Sequence, residues 1–523
     1  MKTVEDFRRE LGEPDQSFVD AVKETMNQLG NEDKDKAADT ILDLAGAIWE
    51  SKERKKGKGR IRSYIPSAYF RVVAACLVII LLMSLMLLTK KKSDVVYLSE
   101  PQDPVAIHNL PIVYLTVNED DLWNAETGML TEGEQINKTV LPYKNALYRE
   151  TGKIPRKCQV TIKDIYDTTV IETECEIALL LDGLSVDMYQ KPFVLSGCFS
   201  TERQSEHKSI LLSNGGKDCI FTRLMNGYIS NLVDSLGSTV LHLQWQPVSV
   251  FLNGEYWGHY NLTENVDASI VAIHERLEDS NGITVLRGKG YLVDGSTEGS
   301  SAYRKMISDI KKMKPTENTQ DLEYLQENID IDNYLEYMAL EMFFGNSDTA
   351  SFCCYRIPGG KWKWLLQGTE YCLFDSGYNS PKAYMHPDET EIPMDDNTIL
   401  LTLLSVPEYK DQFLRILGRV FQTLTTDRML DVLNPIIEQI SPEMPRHFER
   451  WAAESGSPMW KQLPTESQAA LEYWNNRIDR LKNVIRKRPS LLWEFVQDEF
   501  ELTNEEMLQY FGNKPEIQDD TKT

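Results

Sequence analysis

The sequence has little positive charge: 56 Lys and Arg stand against 80 Asp and Glu, for a formal net charge of −24. Such a chain repels polyanions, so no nucleic-acid partner is expected. Cysteine is scarce as well. Cys76 sits in an apolar run, and Cys158, Cys175, Cys198, Cys219, Cys353, Cys354 and Cys372 leave an odd number elsewhere. That count gives no disulfide framework, although one or two bridges remain open, and the absence of CxxC and HExxH removes sequence support for zinc. Core-forming residues are not lacking. With 41% hydrophobic and 10% aromatic residues in 523, global disorder is excluded and one large two-lobed domain with accessories fits the length.

Val72 to Thr89, VVAACLVIILLMSLMLLT, holds no charge at all. At 1.5 Å per residue it almost spans a hydrocarbon core and predicts a single transmembrane helix, too far from the N-terminus for a cleaved signal. Basic residues flank it unequally. Lys52, Arg54, Lys55, Lys56, Lys58, Arg60, Arg62 and Arg71 precede it, against Lys90, Lys91 and Lys92 after it. The positive-inside rule therefore predicts a single-pass cell-membrane protein with a cytoplasmic N-terminus and an extracytoplasmic C-terminal domain. Residues 1–71 are balanced in charge, so the whole acidic excess falls on the outer side.

Helical periodicity through Phe7, Leu11, Phe18, Val22, Met26, Ile41, Leu44 and Ile48 predicts a small cytoplasmic helical module over 1–62, including the basic juxtamembrane stretch. Its apolar face packs on itself or binds a cytoplasmic protein partner. After a linker at 90–106, strands are expected at 112–117, 158–165, 177–181, 192–195 and 248–252. Helices follow at 332–344, about 400–440 and 467–498, with Pro442, Pro464 and Pro489 as breaks. The fold class read from this order is α+β: a β-rich N-lobe, then a helical C-lobe, in a domain over 107–505 ending in a polar tail at 506–523.

Spaced motifs run through that domain: PIVYLTVNEDDLWNAETGML, IALLLDGLSVDMYQKPFVL, SNGGKD, FLNGEYWGHYNLTE, GNSDTASFCCYR with GGKWKWLL, and RPSLLWEFVQDEF. In content and order they resemble the CotH family of spore-coat-type atypical protein kinases. The block Asn253 to Glu264 is the most specific, since an Asn-Gly turn between aromatic strands is common but this spacing is not. The resemblance implies a kinase-like two-lobed fold, with ATP and Mg²⁺ or Mn²⁺ as cofactors where transfer is retained and none where it is lost. It also implies a surface or coat protein as partner.

Phosphoryl transfer needs a cationic phosphate contact, carboxylates on the metal and a base near the acceptor hydroxyl. By resemblance, Lys191, after the Gly183–Ser185 turn, is the phosphate lysine, and Glu264 is the acid that pairs with it at hydrogen-bonding range. Asp348 is the catalytic aspartate. Glu370, with Asp375 as a substitute, would hold the metal. From spacing alone these residues read as a strand-edge lysine, a surface carboxylate, a helix-exit aspartate and a turn aspartate.

The match departs from the family pattern at several polar positions. Ser351 and Cys353 stand where a second metal ligand, Asn, is expected, and Gly368 replaces the first carboxylate after the Trp-x-Trp strand. Ser213 and Asn226 also replace expected polar residues. Hydroxyl and thiol are poorer Mg²⁺ ligands than an amide oxygen. These changes favour a membrane-anchored pseudokinase serving as a binding or scaffold module at the cell surface or spore coat. An active atypical Ser/Thr kinase acting on surface or coat proteins, and a single-span signalling protein, are the alternatives. The signalling reading needs dimerisation, and the apolar run has no GxxxG.

Overall fold

In the computed structural model the chain divides into two compact units, Met1–Lys91 and Lys92–Thr523. The described residues are 108–133, 146–181, 188–199, 207–454 and 463–518, all in the second unit. The module at 1–62, the apolar run at 72–89, the linker at 90–106 and the Gly183–Ser185 turn lie outside them. No described helix is long and apolar enough to cross a membrane.

The second unit is mixed α+β. Its strands are β1 (Ile112–Val117), β2 (Arg156–Lys163), β3 (Thr169–Leu179), β4 (Phe193–Phe199), β5 (His207–Ser213), β6 (Leu241–His242), β7 (Trp245–Leu252), β8 (Glu255–Glu264), β9 (Thr284–Arg287), β10 (Tyr291–Asp294), β11 (Cys353–Arg356) and β12 (Lys363–Leu366). Seven of them close a barrel in the order β1-β2-β3-β4-β5-β8-β7. The closing pair, β1 with β7, is parallel, with Ile112 opposite Ser249. Period-2 alternation fills the interior: Cys158, Val160 and Ile162 of β2 are buried and their neighbours less so. Closure leaves the barrel no unpaired edge.

A second sheet, in the order β10-β9-β11-β12-β6, lies in the lobe expected to be helical. Sequence periodicity misses it because strands of four residues, CCYR and KWLL, offer too few alternations to stand out among helices. Helices complete this lobe: α1 (Met225–Leu236), α2 (Ile331–Phe344), α3 (Pro407–Thr423), α4 (Thr426–Ile440), α5 (Met444–Trp451), α6 (Ser467–Glu499) and α7 (Asn504–Phe511) are the ones that bear on the site. Eleven of the fourteen residues of α2 are buried. It is the central helix, apolar nearly all round.

Pro489 does not break α6, which runs 33 residues through it. The tertiary contacts of the adjacent buried Arg488 outweigh the one hydrogen bond that proline removes. The stretch from 506 is not wholly a polar tail either. A capping box between Thr503 and Glu506 starts α7, which buries Met507 and Phe511.

The β7–β8 hairpin explains the most specific sequence block. Asn253 and Gly254 have φ of +50° and +84°, as a two-residue hairpin turn requires. The Asn253 side chain also accepts from Val117 N (2.8 Å) and donates to Val117 O (2.9 Å). β5 separates β8 from β4, so the hairpin reaches the Lys191 segment across the barrel interior, with Tyr260 Oη donating to Lys191 O at 2.9 Å.

At Gly258 (φ +119°) an added Cβ would lie 2.7 Å from Trp451 Nε1 and 3.0 Å from His447 Nδ1 on α5. Trp451 donates from there to Trp257 O at 2.6 Å. Gly258→Ala is expected to cost about 2–3 kcal/mol through strain and displacement of α5. A thermal melt unchanged by that substitution would contradict the close approach of β8 and α5.

Candidate active site

Between the rim of the barrel, α1 and the second sheet lies a cleft of about 150 Å³. Pro192, Leu211, Asn261 and Thr263 line its barrel side, Asn226 and Ser230 its α1 side, and Arg287 and residues 366–370 its sheet side. Trp245 lies against α1 at Gly227, where an added Cβ would fall 1.9 Å from the indole. Only glycine admits the ring there.

The NGGKD segment enters the cleft after β5. Asn214 donates to Gln190 O at 2.7 Å and accepts from Gly216 N at 3.3 Å, and Gly215 and Gly216 turn at positive φ. Asp218, buried, then receives the N–H groups of Thr222, Leu224 and Met225 and the Thr222 hydroxyl. Burial pushes its carboxyl up to about 6 despite those donors. Between the glycines and this anchor, Lys217 projects toward Asp348.

Asp348 follows the exit of α2. Gly345 ends the helix at φ +62°, and Asn346, fully buried, fixes what comes next. It donates to Glu341 Oε2 (2.9 Å) and Gly368 O (3.1 Å) and accepts from Asp348 N (3.0 Å). The Asp348 carboxylate receives the Lys217 ammonium and the Ser351 hydroxyl, the latter at 2.6 Å. Lys217 also reaches Ser351 Oγ at 3.3 Å. Burial raises Glu341 to about 8, and its second oxygen has no hydrogen-bond partner. A neutral acid at pH 7 suits that position.

The loop after β12 brings Glu370 to the same cleft. Asn226 of α1 accepts from Thr369 N and Thr369 Oγ1 at 3.2 and 2.7 Å and donates to Glu370 Oε1 at 3.2 Å. Burial raises the Glu370 carboxyl, opposed by the Asn226 amide and Lys217. Gly368 sits at φ +74°, and a Cβ added there would lie 2.5 Å from Ser351 Cβ.

Glu370 lines the cleft and Asp348 stands just behind it, bound to the lining residues Lys217 and Ser351, whereas Lys191, Glu264 and Asp375 are not among its lining residues. Lys191 is buried, donating to Met188 O at 2.6 Å and lying 3.9 Å from the Tyr148 ring. The expected Lys191–Glu264 pair does not form. Glu264 instead accepts from Gln244 N at 2.9 Å and faces His274 Nε2 at 3.5 Å, because β5 holds β8 apart from the Lys191 segment. Asp375 is exposed and caps a turn at Gly377 N, 2.9 Å. The cation that meets the catalytic candidate is Lys217, which sequence reasoning left unassigned. Its signal was present in two glycines that bring the backbone close, followed by Lys and an anchoring Asp.

A divalent ion does not fit this donor set. Asp348 is engaged by Lys217 and Ser351, Glu370 by Asn226, and Gly368 offers no side chain. Among the described residues no three ligating side chains converge. A family model described as CotH kinase protein matches residues 184–492, more than half of the chain. No curated protein matches it.

Gly368→Asp alone is expected to destabilise the protein by about 2–3 kcal/mol, from positive φ and the Ser351 contact, without creating metal-dependent nucleotide binding. Adding Ser351→Gly should recover part of the melting temperature; a stable single variant that gains Mg²⁺ dependence would refute this packing.

The raised Glu341 carboxyl predicts a pH dependence with a definite sign. Its folded-state value lies above the ordinary 4.5, so its stabilising contribution is complete below that value and is lost as pH rises through about 8. The slope is on the order of 1 kcal/mol per pH unit between. Glu341→Gln should flatten the fall in melting temperature from pH 5 to 8, and parallel profiles would rule the shift out.

Proposed function

The chain belongs to the CotH kinase protein family, and from that premise we propose that it is a pseudokinase: a membrane-anchored binding or scaffold module acting at the cell surface or spore coat. The observation that carries this reading is the state of Asp348. Its carboxylate is paired with the Lys217 ammonium and accepts from the Ser351 hydroxyl, and the neighbouring position is a glycine packed against that serine. Transfer chemistry relies on carboxylates left available for metal and on charge neutralisation around the phosphoryl group. Here the cleft neutralises itself from within.

In this reading Lys217, which lines the cleft, is the phosphate contact in place of Lys191. The apolar run at 72–89 and its flanking charges support the anchor and the outward placement of the domain. The exit of α2, where Asn346 fixes Asp348, favours the active-kinase alternative, in which nucleotide would draw Lys217 off the aspartate.

Titration of ATP into the purified chain, with and without Mg²⁺ or Mn²⁺, and transfer from γ-labelled ATP separate the two. Expected are nucleotide binding indifferent to the metal and transfer several orders of magnitude below that of a metal-assembled kinase. Brisk autophosphorylation, abolished by Asp348→Ala, would establish the active enzyme instead.

A further inference from the structure

On the far side of Glu370 from the cleft is a smaller hollow, lined by Phe221, Phe374, Arg477 and Arg480 together with Glu370 and Asp218. The two arginines come from α6, three residues apart and so on one face. Arg477 lies 4.4 Å over the Phe221 ring and 5.4 Å from Phe374; Arg480 lies 5.3 Å from Phe374. Phe374 meets Phe221 edge-on at 5.2 Å and Tyr371 at 5.5 Å. Lys217 stands 5.9 Å from that Tyr371 ring. An aromatic ledge thus leads from the arginines to the cation on Asp348.

Among the described residues neither arginine makes an ion pair, and Arg477 Nε is buried with no hydrogen-bond partner. Elsewhere on the unit Lys163, Lys305, Lys363, Arg415 and Arg419 each rest on a carboxylate. Cation–π contact holds a guanidinium flat and leaves its edge donors free to meet an anion.

We propose that Arg477 and Arg480, supported by the Phe221–Phe374 ledge, dock a short acidic segment of a partner protein over the hollow that adjoins the cleft at Glu370. An extended peptide presents alternate side chains roughly 7 Å apart on one face, close to the spacing of side chains at i and i+3 on a helix. Asp or Glu at alternate positions therefore matches the pair. The acid excess of the chain disfavours a long polyanion, while two unpaired arginines suffice for two carboxylates. The inference rests on the kinase-family reading of the cleft only for placing the segment beside a nucleotide pocket.

The test is fluorescence anisotropy on the full-length chain in neutral detergent, with a labelled peptide carrying Glu at alternate positions and a matched peptide carrying Lys. ATP is titrated into the same samples. Expected are binding of the Glu peptide alone, weakening with salt, and a tenfold or greater loss of affinity in Arg480→Glu and in Arg477→Ala/Arg480→Ala. Arg480 is exposed, so its variant keeps the test valid if the double variant fails to fold. Equal binding of the two peptides, or Glu-peptide affinity unmoved by Arg480→Glu, would overturn the proposal. Peptide binding without ATP binding would sink the nucleotide reading and leave this one standing.

Discussion

A buried guanidinium governs the geometry of the second lobe. Arg488 of α6 donates to Phe343 O, Met342 O, Tyr378 O and Ser380 Oγ at 2.8–3.2 Å. Taking a charge out of water costs several kcal/mol unless its donors are used, and among the described residues no carboxylate accepts from it. The carbonyl end of α2 takes the counter-ion's part, since a helix C-terminus carries partial negative charge. Those bonds tie α2, α6 and the 378–380 loop together. They also require Gly345, where an added Cβ would lie 2.5 Å from Arg488 Nη2. Asn346 and then Asp348 follow from that fixed point, so the position of the candidate acid is set by a residue far along the chain.

With the backbone held, the charges in the cleft must settle among themselves. Besides burial, the charge of Asp348 acts on Glu341 and on Glu370 in turn, raising both carboxyls, and neighbouring like charges disfavour joint ionisation. Two devices relieve them. Glu341 keeps its proton, as its raised pKa indicates, and Lys217 faces Asp348. A kinase-family cleft ordinarily leaves such charge for metal and phosphate to balance. In this one Lys217 supplies part of that balance from within the protein.

What could be read from the sequence divides along the same line between local and tertiary causes. β1 lies at Ile112–Val117 as its alternation predicts, and α2 starts one residue before the expected 332. The Asn253-Gly254 turn and Asp348 at a helix exit were also legible, because each depends on neighbours in sequence. Lys217 was not assigned, since its role appears only when Gly215 and Gly216 carry the chain past a residue from the other lobe. The Lys191–Glu264 pairing failed for a topological reason: the strand between them, β5, gave no signal in the sequence. Pro489 misled because propensity weighs one lost hydrogen bond and cannot see the Arg488 network.

Positions 351 and 368 are physically coupled. Ser351 gives its hydroxyl to Asp348 and sets its Cβ where a side chain on residue 368 would begin. Residue 368 in turn adopts a φ of +74°, which glycine holds without cost and aspartate does not. Each change makes the other easier to keep. A serine can approach Asp348 because position 368 is bare, and position 368 can turn left-handed because it has no Cβ to clash. Asn226 then fastens the altered loop to α1 through Thr369 and Glu370. The result is a packing in which the space beside Asp348 is filled by protein. A carboxylate placed at position 368 works against a serine, a backbone conformation and an amide clamp together.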